Sequence, residues 1–98
     1  MLTNSEVKQI NHKLYLENMG MPEDSPINDL SEDISYIIYY TDVFESDNIP
    51  IIHRHIDIEY SFGEYYEICE NTDLFQFICT LCNLPLLQEE QELVLYQK

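Results

Sequence analysis

In residues 50–62, PIIHRHIDIEYSF, apolar and polar side chains largely alternate, with a period of two residues. From residue 52 onward the even positions are apolar or aromatic except for Arg54, and the odd positions include His53, His55, Asp57 and Glu59. Because successive side chains on a strand point to opposite faces, this pattern predicts a strand with one apolar face and one polar face. We expect the apolar face to pack in the hydrophobic core, whereas the polar face displays two imidazoles and two carboxylates.

The residues before this strand predict a helix, a loop and another strand. Asn4 or Ser5 can cap a first helix that ends at Gly20, and the proline-containing, acidic residues 21–33 predict a long loop. Residues 34–44 are rich in β-branched and aromatic side chains, as is typical of an interior strand covered on both faces. A turn signal centred on Asp47 and Asn48 then leads into the alternating strand.

The residues after it predict a third strand and a second helix. Gly63 permits a tight reversal, and residues 64–70 then read as a strand. Asn71 or Thr72 can cap the following helix, in which apolar residues recur at helical spacing until Pro85 ends it.

The C-terminal residues 86–98 allow two interpretations. Their Gln and Glu content favours a helix, while residues 92–96 are equally compatible with a strand, and we favour the helix. The predicted fold is therefore α+β, with a three-stranded antiparallel meander and helices on one face in the order α-β-β-β-α-α. A chain of 98 residues fits one domain, residues 1–98.

The chain is strongly acidic, with 19 Asp and Glu against 4 Lys and Arg and a formal net charge of −15. Residues 14–97 contain 18 of these acids and one basic side chain, Arg54. Disorder is not expected, because aromatic and β-branched residues are plentiful. Repulsion between like charges on a folded domain lowers its stability, and a gain in solubility or an electropositive partner would offset this cost. The negative charge also argues against direct binding of nucleic acid or anionic membranes.

No apolar run approaches the roughly 20 residues that span a bilayer, and the N-terminal residues lack the order of a signal peptide. Three cysteines do not suggest a secreted disulfide scaffold. We therefore expect a soluble, cytoplasmic protein with reduced thiols.

His53 and His55 could ligate a metal together, because they point the same way from one strand, and Asp57 or Glu59 could add an oxygen ligand. An exposed polar face that contains two histidines is the more common origin of such a pattern. Nearby carboxylates would favour the charged imidazolium and give this face some pH dependence.

Cys79 and Cys82 have the CxxC spacing of zinc knuckles and of thioredoxin-like sites. A zinc site would need two more ligands, such as Cys69 and a histidine, and a redox site would need Cys79 at a helix N-terminus rather than about two turns inside the helix. Packing of small side chains is the more common explanation. The sequence therefore assigns no metal ligand and no cofactor.

Catalytic motifs are absent from the sequence. There is no nucleophile elbow, no HExxH and no glycine-rich phosphate loop, since Gly20 and Gly63 are the only glycines. No carboxylate pair stands out among so many acids. We assign no catalytic residue and do not expect an enzyme.

The spacing of the acids suggests a binding surface. Glu64, Glu67, Glu70 and Asp73 recur every three residues, and carboxylates on one face of a strand repeat about every 6.7 Å, like a row of backbone phosphates. The leading hypothesis is an inhibitor that occupies the basic groove of a nucleic-acid-binding protein, with tyrosines as anchors. The alternative is a solvated acidic surface that maintains solubility.

A small acidic chain with this order of elements resembles phage-encoded anti-CRISPR proteins that imitate DNA and, more broadly, anti-restriction proteins and uracil-glycosylase inhibitors. The resemblance covers the whole chain through composition and element order, without an aligned motif. It implies binding to the basic surface of a host defence or repair enzyme in the bacterial cytoplasm, and it transfers no individual residue. The contact residues that we expect for this class are Asp57, Glu59, Glu64, Glu67, Glu70, Asp73, Tyr60, Tyr65, Tyr66, Glu23, Asp24, Asp29, Glu32 and Asp33.

Two other classes fit the sequence. One is an immunity protein that neutralises a basic toxin nuclease. The other is a small zinc-binding regulator that uses His53, His55, Cys69, Cys79 and Cys82. Long strands with exposed tyrosines also leave room for a homodimer.

Overall fold

The computed structural model describes residues 1–19 and 30–98. Most of the predicted acidic loop, including Glu23, Asp24 and Asp29, lies outside these residues. In chain order the elements are α1 (Asn4–Met19), a 3-10 turn (Ser31–Asp33), β1 (Ile34–Ser46), β2 (Ile49–Tyr60), β3 (Tyr65–Cys69), α2 (Asp73–Cys82) and β4 (Gln91–Gln97).

The strands form one antiparallel sheet in the order β3-β2-β1-β4. The predicted α+β class and the β1-β2-β3 meander are confirmed. The predicted C-terminal helix is wrong, because this segment adds a fourth strand to the edge of β1 and the order is α-β-β-β-α-β.

Pairing between distant segments explains why the tail is a strand. The backbone of β4 pairs with β1, and the amide of Leu2 donates to the carbonyl of Leu95 on the other side of β4 at 2.9 Å. Leu95 is also buried in the core. These contacts satisfy backbone groups at both edges of β4 and outweigh the helix propensity of its Gln and Glu residues.

The β1–β2 hairpin has a two-residue turn. Asp47 and Asn48 both have positive φ, 52° and 64°, which is the conformation of a type I′ turn and one that Asn and Asp tolerate. This turn pairs Ser46 with Ile49 and fixes the register of the long hairpin. The register places Asp42 opposite His53.

Both helices pack on one face of the sheet. Ile10 of α1 and Ile78 of α2 are fully buried and belong to the same apolar cluster as Ile37, Ile56 and Ile58 of the sheet. β1 is thus an interior strand, but the described helices cover only one of its faces. The predicted alternation of β2 is confirmed for residues 54–60, because Ile56, Ile58 and Tyr60 lie in this core and Arg54 is buried. It does not extend to Phe62, which lies beyond β2 and is 53% exposed.

Local signals fix the ends of α2. The side chain of Thr72 accepts a hydrogen bond from the amide of Phe75, as predicted for an N-cap. Asn83, with φ of 50°, ends the helix in the left-handed conformation, two residues before the predicted stop at Pro85. In the part of the chain that the structure describes, neither helix has the length and hydrophobicity to cross a bilayer.

Candidate functional site: the open face of the sheet

The face of the sheet opposite the helices is the candidate site, and we call it the open face. No helix within residues 1–19 and 30–98 covers it. The strand registers assign to it Tyr36, Ile38, Tyr40, Asp42 and Phe44 of β1, Ile51, His53, His55, Asp57 and Glu59 of β2, Tyr65, Glu67 and Cys69 of β3, and Glu92 and Val94 of β4.

The open face combines five carboxylates with no lysine or arginine among its residues. Lys8 and Lys13 lie on α1, and Arg54 lies on the core face of β2. Lys98 follows β4 and lines a cavity with residues of α1 on the helical side. The basic side chains are therefore segregated from the open face. Within the strands that the structure describes, no lysine or arginine shares this face with its carboxylates.

His55 lies at the centre of this face. Its Nδ1 is 2.9 Å from Oδ1 of Asp57, and its Nε2 is 3.2 Å from Oδ2 of Asp42. The ring of Tyr40 stacks on the imidazole with centroids 5.3 Å apart. Burial lowers the pKa of His55, but the hydrogen bonds to Asp57 and Asp42 raise it by a larger amount. The net pKa of His55 therefore lies above its usual value.

His53 lies beside this histidine, with ring centroids 5.2 Å apart. The ligating atoms of Asp42, His53 and His55 all lie within 4.8 Å of one another, and the same holds for His55, Asp57 and Glu67. Two overlapping groups on the open face thus have the composition of a metal centre.

The cysteines do not join either group among the described residues. Cys69 is exposed on the open face, whereas Cys79 and Cys82 lie on α2, which packs on the opposite face. Burial raises the pKa of Cys79 to about 11, which disfavours the thiolate needed for metal binding or redox chemistry. The zinc site that would combine these cysteines with a histidine is not assembled, and the CxxC spacing reflects helix packing.

Tyrosines alternate with the acids on the open face. A hydrogen bond to Glu59 raises the pKa of Tyr36 to about 12. Burial, with the nearby charges of Asp57 and Glu67, also raises the pKa of Tyr65. These phenols stay neutral at physiological pH and provide contact area that carries hydrogen-bonding groups.

The structure brings together four of the predicted contact residues. Asp57, Glu59, Tyr65 and Glu67 are neighbours on the open face, where Asp57 pairs with Glu67 and Glu59 pairs with Tyr65. Asp57 is only 8% exposed, so the other three present most of the accessible surface.

The predicted row of acids at three-residue intervals does not form. A strand repeats every two residues, so Glu67 and Glu70 fall on opposite sides of the sheet. Glu70 bonds to Arg54 on the core side, Glu64 lies in the turn before β3, and Asp73 begins α2.

Two predicted tyrosines belong to the core side rather than to a contact surface. Tyr60 is 1% exposed, and its hydroxyl donates to Oδ1 of Asn11 at 2.6 Å, so a partner cannot reach it. Tyr66 is half-buried against the ring of Tyr60. The remaining described acids of the predicted loop, Glu32 and Asp33, form the 3-10 turn before β1.

Sequence reasoning missed the part of the site that β1 contributes. Tyr40 pairs with His55, and Asp42 pairs with His53. The available signal was the turn, because a two-residue hairpin at Asp47 and Asn48 fixes which residues of the two strands face each other.

No protein-family model matches the chain, and no curated protein or solved structure shows significant similarity to it. The geometry of the open face and the charge of the chain are therefore the basis for a functional assignment.

Proposed function

We propose that the protein is an inhibitor that binds through its open face to the basic nucleic-acid-binding groove of an electropositive protein. The observation that carries the proposal is the segregation of charge: five carboxylates share this face, and every lysine and arginine lies elsewhere. Such a surface attracts a basic partner at long range and repels nucleic acid.

The arrangement of the carboxylates supports imitation of a polyanion in two dimensions rather than in one row. Asp57 and Glu59 are separated by about 6.7 Å along β2, and neighbouring strands lie about 4.8 Å apart, which is the scale of the offset between Asp57 and Glu67. Because these side chains project from a paired sheet, their backbone is already ordered, and binding does not cost backbone conformational entropy.

The β1–β2 hairpin supplies apolar contact area next to the charges. β4 pairs with β1 only as far as Thr41, and β3 pairs with β2 only from His55, so residues 42–53 form a two-stranded arm. On this arm Phe44 is 52% exposed and Ile51 is 40% exposed, and the two residues pair across the strands. Such side chains can anchor a partner whose encounter is guided by charge.

The test compares two charge-matched variants. The first is Glu59→Gln, Glu67→Gln and Glu92→Gln on the open face. The control is Glu17→Gln, Glu32→Gln and Glu64→Gln, three exposed acids that lie outside this face. Each variant removes the same formal charge, so a difference between them depends on position and not on net charge.

Immobilised protein is exposed to bacterial lysate at low salt and eluted with a salt gradient. We expect the wild type and the control to retain a nucleic-acid-binding protein that salt and free DNA release, and the open-face variant to lose it. Equal loss in both variants, or capture that salt does not weaken, would contradict the proposal.

The captured protein is then tested for inhibition, by the displacement of a fluorescent nucleic acid from it. Capture of a defence or repair enzyme supports an anti-defence role. Capture of a toxin nuclease encoded beside this gene supports an immunity role through the same face.

A further inference from the structure

Three potential ligands converge at the base of the hairpin arm. Asp42 and His53 are paired across β1 and β2, and His55 lies two residues further along β2 on the same face. Oδ2 of Asp42 is 3.2 Å from Nε2 of His55, and the nearest ligating atoms of all three groups lie within 4.8 Å of one another.

These distances suit a small divalent ion. Zinc bonds of about 2.0–2.2 Å in a tetrahedron place adjacent ligand atoms roughly 3.3 Å apart, which is close to the separation between Asp42 and His55. His53 is exposed, so its ring can rotate to complete the triangle. The hairpin register thus supplies two of the three ligands in nearly the required positions.

Asp57 orients the central ligand. Nδ1 of His55 lies 2.9 Å from the carboxylate of Asp57, which is 8% exposed. When Nδ1–H donates to this carboxylate, the lone pair of Nε2 points towards Asp42. Metal-bound histidines in proteins commonly donate their second ring N–H to a carboxylate in this way.

The stacked ring of Tyr40 further restricts the His55 imidazole. By contrast, a metal held by His55, Asp57 and Glu67 would need Nδ1 as the ligand and would remove this orienting hydrogen bond. In that arrangement Nε2–H of His55 would have only Asp42 as its outer partner, at 3.2 Å and with a side chain that is 55% exposed. The first group instead has two imidazole ligands and a nearly buried carboxylate, Asp57, as the outer partner.

We propose that Asp42, His53 and His55 form a binding site for a divalent transition-metal ion of the zinc class, with Asp57 as the positioning residue. Two imidazoles and one carboxylate favour zinc, nickel or cobalt over magnesium and calcium, which prefer oxygen ligands. Three protein ligands leave a fourth position of a tetrahedral ion open. This site goes beyond the proposed inhibitor function and does not depend on it.

The first experiment is a titration of the chelator-treated protein with zinc chloride by calorimetry, supported by the visible spectrum of the cobalt complex. We expect one ion per chain, and a cobalt spectrum of tetrahedral type. His53→Gln and Asp42→Asn should each weaken binding by more than the roughly 10–100-fold loss that is typical for an outer-shell partner.

Asp57→Asn should weaken binding by about 10–100-fold while the ion is still held by the same ligands. The controls are Glu67→Gln, which removes a ligand of the second group only, and His12→Gln on α1. Both controls should bind zinc like the wild type. Circular dichroism in chelator confirms that every variant is folded.

The absence of zinc binding by the wild type would overturn the proposal. So would unchanged binding in His53→Gln, or loss of binding in Glu67→Gln, because either result moves the ion away from the proposed ligands. No partner protein is used, so this result and that of the capture experiment are independent.

Discussion

Glu67 and Glu70 are three residues apart, and the structure predicts opposite consequences for their removal. Arg54 is 8% exposed on the core face, where its Nε donates to the carbonyl of Leu87 at 2.7 Å. Its Nη1 donates to Oε2 of Glu70 at 3.0 Å. Glu70 therefore supplies the countercharge of a buried guanidinium, whereas Glu67 lies on the open face.

The size of the effect of Glu70→Ala follows from the environment of the pair. Hydrogen bonds to charged groups contribute about 1.5–3 kcal/mol. The side chain of Glu70 is 37% exposed, so solvent screens the pair and reduces its contribution to the lower end of this range or slightly below it. We expect Glu70→Ala to lower the free energy of unfolding by about 1–2 kcal/mol.

Glu67→Ala is the matched control. The nearest histidine nitrogen, Nδ1 of His55, lies 3.9 Å from its carboxylate. The side chain of Glu67 is 42% exposed, so solvent screens this long contact and it contributes about 0–1 kcal/mol. Urea unfolding followed by circular dichroism measures both variants in the presence of chelator. With a slope of about 1–2 kcal/mol per molar urea, the midpoint of Glu70→Ala should fall by roughly 1 M, and that of Glu67→Ala much less.

A Glu70→Ala midpoint equal to that of the wild type would refute the structural role of Glu70. Equal loss in both variants would refute the assignment of the two residues to opposite faces. Under the proposed function, the capture experiment should give the reverse order, because Glu67 lies on the open face and Glu70 does not.

Three further predictions concern the core, the thiols and the charge. Thr41 Oγ1 is buried without a hydrogen-bond partner among the described residues. Thr41→Val should therefore raise the free energy of unfolding by about 1 kcal/mol, and a lower urea midpoint would contradict this expectation. Burial raises the pKa of Cys79 from 9.0 to about 11, so folding disfavours the thiolate, and stability should fall as pH rises between these values. Urea unfolding at several alkaline pH values should show a smaller fall in Cys79→Ala than in the wild type. Moderate salt should raise the melting temperature, because it screens repulsion within a chain of net charge −15, and an unchanged melting temperature would argue against uncompensated acids.

The parts of the fold that sequence reasoning predicted depend on local signals. The alternation of β2, the turn at Asp47 and Asn48 and the Thr72 cap are each properties of a few consecutive residues. β4 was missed because its conformation depends on pairing with β1, about 55 residues earlier in the chain. Local propensity cannot report such pairing.

In the candidate site, too, some features follow from local sequence and others depend on the pairing of separate segments. The display of His53, His55, Asp57 and Glu59 on one face of β2 follows from the period of a strand. Asp42 enters the site only through the register of the hairpin, which requires the turn geometry as well as the strand pattern. The expected row of acids failed because a three-residue interval matches a helix and not a strand.

The two proposals are linked through Asp42, which belongs both to the acidic surface of the open face and to the metal group. A bound divalent ion would neutralise this carboxylate and place positive charge where the hairpin arm meets the acids. Zinc should then weaken the capture of a basic partner that binds through electrostatic attraction alone. It should strengthen capture if a partner side chain fills the open position on the ion. The sign of the difference between capture in zinc and capture in chelator therefore distinguishes a purely electrostatic interface from one in which the metal bridges the two proteins.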